Sequence, residues 1–183
     1  MAVWQRDAGL IVTLADGAGG VGAGAAAAQT IIDGAAAWTP ASSDAGALLR
    51  DLDRRLAGST AGQSTAVVLY LSASGLVGAS VGDSGAWIIR DGSLDDITGA
   101  QNRKPLVGSG AAAPVAFGAG PLAGGTLLVA SDGLLKFGKR TDIARIAALP
   151  DLASAALELM SLVTLRSGEV PDDVTVALCR ELD

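Results

Sequence analysis

Short apolar runs, each closed by Gly, Asp, Ser or Pro, recur along this chain and set its expected elements. Leu10–Ala15, Thr65–Leu71, Leu76–Val81, Ala86–Arg90, Thr126–Ala130 and Val174–Cys179 are of strand length and rich in Val, Ile and Leu, so each predicts a buried strand. The middle three are separated by short turns and predict an antiparallel meander. Ser93–Thr98 adds a short strand after the Asp91-Gly92 turn. The helical segments read differently. Glycines crowd 17–24, and an alanine-rich stretch then runs to about Ala37. Alanine is the best helix former, so this stretch predicts a helix lying close on a sheet, ended at Trp38-Thr39-Pro40. Ser43 and Asp44 offer N-caps for a second helix to about Leu56, with Leu48, Leu49, Leu52 and Leu56 on one face. Thr141 caps a third helix through about Leu149. Pro150-Asp151 restarts a fourth to about Leu165, stopped by Ser167-Gly168. Gln101–Gly125 is a connection rich in Gly and Pro with no assigned element. The order is one strand, two helices, a block of strands, two helices and one strand. It predicts layered α+β architecture rather than regular βαβ alternation. No repeat and no linker divides 1–183, which is expected to be a single domain.

Composition narrows the chemistry. The 183 residues suit one sizeable core. The formal net charge is -6 with no Lys/Arg block, so neither a nucleic-acid partner nor an anionic membrane surface is expected. The short basic clusters Arg54-Arg55, Arg103-Lys104 and Lys139-Arg140 read as solvated faces. Two long uncharged stretches, 60–82 and 105–131, are broken by turn residues and read as buried strands and loops rather than membrane spans. The opening Met-Ala-Val-Trp-Gln-Arg-Asp lacks a basic region leading into an apolar one, so no export signal is expected. A single cysteine, Cys179, allows no internal disulfide, fits a reducing cytoplasm and reads as a buried thiol. There is no histidine. Ser-His-Asp and Cys-His catalysis and histidine-ligated zinc are thereby excluded.

What remains is carboxylate and metal chemistry. Three buried strands share one ending: Leu-Ala-Asp16-Gly17, Val-Gly-Asp83-Ser84 and Ala-Ser-Asp132-Gly133. Asp172 stands just before the last strand. Each aspartate at a strand mouth is held at the edge of the core, and a neighbouring glycine lets the chain turn and present its carbonyl. If these ends converge, they form an all-oxygen site, and several carboxylates stay ionised together only beside a cation. Hard oxygen donors select Mg²⁺ or Mn²⁺. Two such ions sharing a water lower its pKa and aim it at phosphorus. Asp33-Gly34 and Asp91-Gly92 read as turns only.

These residues resemble the metal-dependent protein phosphatases of the PPM family, also called type 2C. Ala15-Asp16-Gly17-Ala18-Gly19-Gly20 is similar to that family's first metal motif, Val81-Gly82-Asp83-Ser84 to its Gly-Asp-Ser motif, Val129–Leu134 to its Ser-Asp-Gly-Leu motif, and Asp172–Val176 to its closing Asp-Asn-Val-Thr-Val. The four occur in the family's order across nearly the whole chain. The resemblance implies a four-layer α-β-β-α sandwich, two central antiparallel sheets flanked by helix pairs, and two Mn²⁺ or Mg²⁺ ions. Asp16 would bridge the ions and Gly17 would offer its carbonyl. Asp132 and Asp172 would ligate the second ion, and Asp83 would serve a weaker third. The implied activity is hydrolysis of phosphoserine and phosphothreonine in a protein by a metal-bridging water, in a cytoplasmic, monomeric signalling enzyme.

The N-terminus departs from the pattern. The family's phosphate-binding arginine strand is not found, Asp7 matches the second acid of an expected pair and supports the metals, and Arg6 takes the place of the first. Arg6 either reaches the phosphate through its forked donors or lies on the surface. The family's usual length is trimmed. Two other readings stand beside the enzyme: a pseudophosphatase that binds phosphoproteins as a scaffold, and a dinucleotide-binding module suggested by Gly17-x-Gly19-x-x-Gly22. Against the latter, Asp16 would repel a pyrophosphate and no second parallel strand follows the helix. Gly82-Asp83-Ser84-Gly85 resembles a serine-protease segment, but without histidine Ser84 reads as a turn or supporting hydrogen-bonding residue.

Overall fold

The computed structural model describes residues 1–6, 8–19, 22–40, 44–165 and 170–181. In chain order the first elements are β1 (Ala2–Arg6), β2 (Gly9–Leu14), β3 (Gly17–Ala18), α1 (Ala23–Ala36), α2 (Ala45–Ala57) and β4 (Gln63–Ser64). A run of strands follows: β5 (Ala66–Ser72), β6 (Gly75–Val81), β7 (Gly85–Arg90), β8 (Ser93–Asp96), β9 (Val115–Ala119) and β10 (Thr126–Ala130). The chain ends in α3 (Asp132–Leu135), α4 (Arg140–Ala147), α5 (Leu152–Ser161) and β11 (Val176–Arg180). Every ladder among the described residues is antiparallel. The mixed α+β class expected from the element order is the one found. The chain divides into two compact units, 1–84 with 98–121 and 85–97 with 122–183.

The first unit holds a five-stranded sheet in the order β1-β2-β5-β6-β9 and the small β3-β4 ladder. Helices α1 and α2 supply Ala27, Ile31, Leu49, Leu52 and Leu56 to a core shared with Ile11, Val68 and Val81. Leu49 and Leu52 are fully buried, and each such side chain contributes about 1.5–3 kcal/mol relative to exposure. The start of α2 is fixed by Asp44, whose Oδ1 accepts the Ala47 N–H at 2.6 Å. Arg54 and Arg55 in its last turn complement the helix dipole. Of the two N-caps foreseen, Asp44 serves, and Ser43 lies outside the described residues.

The second unit holds the sheet β11-β10-β7-β8. Its core joins Trp87, Leu128 and Leu134 to Ile143, Ile146 and Leu159 of α4 and α5. Asp151 caps α5, its Oδ2 accepting the Ser154 N–H at 2.8 Å. The Arg180 guanidinium ties β11 to the end of α4, donating to Ala147 O at 3.0 Å and Leu149 O at 3.1 Å.

Five elements were not foreseen, among them the two-residue strands β3 and β4. Strand β1 is a sheet edge whose residues alternate between half-buried and exposed, so it lacks a dense apolar run. Strand β9 is the opposite edge and lies inside the Gly/Pro-rich connection, where only pairing with β6 makes it a strand. Helix α3 is a single turn. Helix α5 ends at Ser161, short of Leu165, and the Ser167-Gly168 stop lies outside the described residues. No helix is long and apolar enough to cross a membrane among the described residues.

Candidate active site

The aspartates named from the motifs fall into two groups, Asp16 and Asp83 in the first unit, Asp132 and Asp172 in the second. Asp16 follows β2 directly, and its main chain is held on both sides. Its carbonyl oxygen accepts the Thr65 N–H at 2.9 Å and lies 2.9 Å from Ser64 Oγ. Its N–H donates to Thr65 Oγ1 at 3.2 Å. The position of Asp16 is therefore set by backbone contacts with the segment entering β5. Gly17 comes next, where β3 meets the first turn of α1. A Cβ on Gly17 would stand 2.3 Å from the Gly24 carbonyl oxygen, so only glycine allows the two backbones to touch there.

Asp83 lies in the turn between β6 and β7, half-buried. Its loop is joined to the Asp16 loop by one hydroxyl pair: Thr65 Oγ1 and Ser84 Oγ are 2.7 Å apart. Ser84 is fully buried, and Thr65 is 5% exposed. Gln101 Nε2 donates to the Ser84 carbonyl oxygen at 2.6 Å. Ser84 is thus the supporting residue expected of it. Thr65, Ser64 and Gln101 escaped the sequence reading. A threonine at a strand start looks like ordinary β-propensity, and its place beside the Gly-Asp-Ser segment appears only once β5 and β6 pair.

In the second unit, Asp132 is the first residue of α3 and Asp172 stands on the approach to β11. Ser131 stitches the two loops together. Its Oγ donates to Asp173 O at 3.0 Å and accepts the Thr175 N–H at 2.9 Å, and its N–H donates to Thr175 O at 3.0 Å. A Cβ on Gly133 would lie 2.3 Å from Asp173 O. The glycine of Ser131-Asp132-Gly133 is therefore what lets the Asp172-Asp173 backbone lie against the Asp132 turn. Asp172 is exposed, and its Oδ1 accepts the Asp173 N–H at 2.9 Å.

Arg6 was left between the phosphate and the surface. The β1-β2 register pairs Ala2 with Thr13 and Arg6 with Gly9. Arg6 is therefore at the opposite end of β2 from Asp16, on the order of 20 Å away along the extended chain. Its Nη2 donates instead to Ala36 O at 2.7 Å, at the end of α1. Of the two places left open for Arg6, the hairpin register and this contact favour the one away from the strand-end aspartates. Asp7 lies outside the described residues. Cys179 is buried, and burial pushes its thiol up to about 11, the behaviour of a core residue and not a nucleophile. The antiparallel pairing of β2 with β5 also removes the parallel βαβ unit that a dinucleotide reading of Gly17–Gly22 requires.

Among the described residues, no three carboxylate or thiol side chains are gathered as a ready metal cage. The donor set nevertheless suits a hard divalent ion. Mg²⁺ in particular keeps several waters and takes one or two carboxylates, not a full protein cage.

The architecture is similar to that of solved bacterial serine/threonine phosphatases. No protein-family profile and no curated protein matches the sequence, but solved structures match the fold closely. The Mycobacterium tuberculosis serine/threonine phosphatase PstP is 25% identical with a TM-score of 0.79, over 97% of this chain and 89% of that one. The catalytic domain of PstP solved in complex with two manganese ions gives the same identity, TM-score and coverage. The S. agalactiae serine/threonine phosphatase is 20% identical with a TM-score of 0.82, over 97% of this chain and 90% of that one. The fold of this chain is therefore the one these serine/threonine phosphatases share.

Proposed function

We propose that this chain removes phosphate from phosphoserine and phosphothreonine in a protein substrate, using two Mn²⁺ or Mg²⁺ ions held by Asp16, the Gly17 carbonyl, Asp132 and Asp172, with Asp83 serving a third. The reading takes the four-layer sandwich of the family as its architecture, a single domain in which both aspartate groups serve one centre. When bound, the ion pair supplies an acidified water and neutralises charge on the phosphoryl group. The protein's part is positional. Thr65 and Ser64 fix the main chain of Asp16, Ser131 and Gly133 fix Asp132 against Asp172, and the Thr65–Ser84 pair ties in the Asp83 loop. The observation that carries the reading is this double anchoring. The Asp16 and Asp132 loops are each locked by a buried hydroxyl and by main-chain contacts that permit only glycine, as an enzyme needs where ligands must hold their geometry to a fraction of an ångström.

A phosphorylated protein is the partner, and we place the monomeric enzyme in the cytoplasm, where the lone buried thiol is compatible with a reducing environment. No guanidinium is assigned to the phosphate. The test is hydrolysis of para-nitrophenyl phosphate and a phosphothreonine peptide with Mn²⁺, with Mg²⁺ and with excess EDTA, beside Asp16→Ala. Turnover is expected with metal only, and at least 100-fold less in the variant, on the order of the loss of a principal electrostatic group. A folded protein without turnover under any metal would sink the proposal.

A further inference from the structure

Among the described residues, Asp53 is the one charged side chain that is buried, at 4% exposure. It sits on α2, one residue after Leu52 and three before Leu56, on the stripe that faces the core. Its carboxylate is taken up wholly by main chain. Oδ1 accepts the N–H groups of Gly108 at 2.7 Å and Gly110 at 3.0 Å, and Oδ2 accepts that of Ala112 at 3.1 Å. Three amides converging on one anion form a nest in which each hydrogen bond is charge-assisted.

The segment so held has almost no polar side chains of its own to fix it. Leu106–Ala112 carries one polar side chain, Ser109, and Gly108 and Gly110 adopt φ of 101° and 76°. Yet this loop bears directly on the candidate centre. Val107 exchanges both backbone hydrogen bonds with Ser64, at 2.9 and 3.1 Å. Ser64 Oγ in turn lies 2.9 Å from the Asp16 carbonyl oxygen. A continuous set of contacts runs from the Asp53 carboxylate through the loop, the Val107–Ser64 bridge and the Ser64 hydroxyl to the main chain of Asp16.

We propose that Asp53 is a positioning residue for the metal centre: it shapes the 106–112 loop, which holds Ser64 in the place that fixes Asp16. The inference rests on the phosphatase reading above. Asn at this position keeps the volume but turns an N–H₂ group toward at least one of the three amides, so the nest cannot stay complete.

The experiment measures Mn²⁺ affinity, by the electron paramagnetic resonance signal of free Mn²⁺, on the full chain and on Asp53→Asn, Ser64→Ala and the double variant, with amide hydrogen exchange at Ser64 and Val107. The expected result is at least a tenfold loss of affinity in each single variant, a double variant within twofold of the weaker single, and faster exchange at both amides in Asp53→Asn. A role in stability alone would lower the melting point and leave the affinity unchanged. Affinity within twofold of the parent in Asp53→Asn, or losses that multiply in the double variant, would overturn the proposal while leaving the phosphatase reading intact. If Asp53→Asn does not fold, Ser64→Ala decides, since it leaves the nest untouched: parental affinity there overturns the proposal. A parent protein that binds no Mn²⁺ removes the phosphatase reading, and this inference with it.

Discussion

Replacing Thr65 with valine probes the link between the Asp16 and Asp83 loops with almost no change of shape. The hydroxyl has two partners, the Asp16 N–H at 3.2 Å and Ser84 Oγ at 2.7 Å. Thr65 is 5% exposed and Ser84 fully buried, so water does not readily replace what is lost. Each polar group left unpaired in such a place costs about 1–3 kcal/mol. Two of them give an expected loss of about 2–6 kcal/mol, a drop in Tm on the order of 10 °C for a chain of this size. The assay is urea unfolding of the parent, Thr65→Val, Ser84→Ala and the double variant. Because Ser84→Ala removes one of the orphaned groups, the double variant is expected to cost about 1 kcal/mol less than the sum of the singles. Additivity within about 0.5 kcal/mol, or a Thr65→Val protein as stable as the parent, would refute the reasoning.

Arg6→Ala is expected to leave kcat and KM for para-nitrophenyl phosphate within twofold of the parent. It should cost about 0.5–1.5 kcal/mol of stability through the lost contact with Ala36; a tenfold rise in KM would return Arg6 to the phosphate. Cys179 gives a pH signature. Its thiol ionises at 9.0 when unfolded and at about 11 when buried. The native state therefore keeps a proton that the unfolded state has released between those values. The free energy of unfolding should fall with rising pH in this window, by up to about 1.4 kcal/mol per pH unit from this group. Urea unfolding across the window, compared with Cys179→Ala, checks it: the variant lacks this component, and parallel curves for the two proteins would contradict the assignment.

The central strands were legible because β2, β5, β6 and β10 are dense in apolar residues and buried nearly throughout. Their aspartate endings stood out for the same reason. The edge strands were not legible, since β1 and β9 have half-exposed patterns that only a neighbouring strand makes into structure. Arg6 stayed open between two places because spacing along the chain does not reveal which end of a hairpin a residue occupies. Asp53 was passed over as one acid among the charges of α2, although its register with Leu49 and Leu56 sets it on the inward face. Thr65 gave no signal at all, because its hydrogen bonds run to residues distant in sequence.

The interleaving of the two units constrains the order in which the protein can be made. Synthesis delivers β7 and β8, which belong to the second sheet, before β9 emerges to complete the first. A nascent chain ending at Ser84 already contains Asp53 on α2, but the three amides that receive its carboxylate lie at 108–112. Until those residues leave the ribosome, burying this side chain would strand a charge. The first unit is therefore expected to stay open through that interval. Neither unit can be excised as one continuous fragment, and a chimera that exchanges only 1–84 would part Asp53 from the loop it shapes.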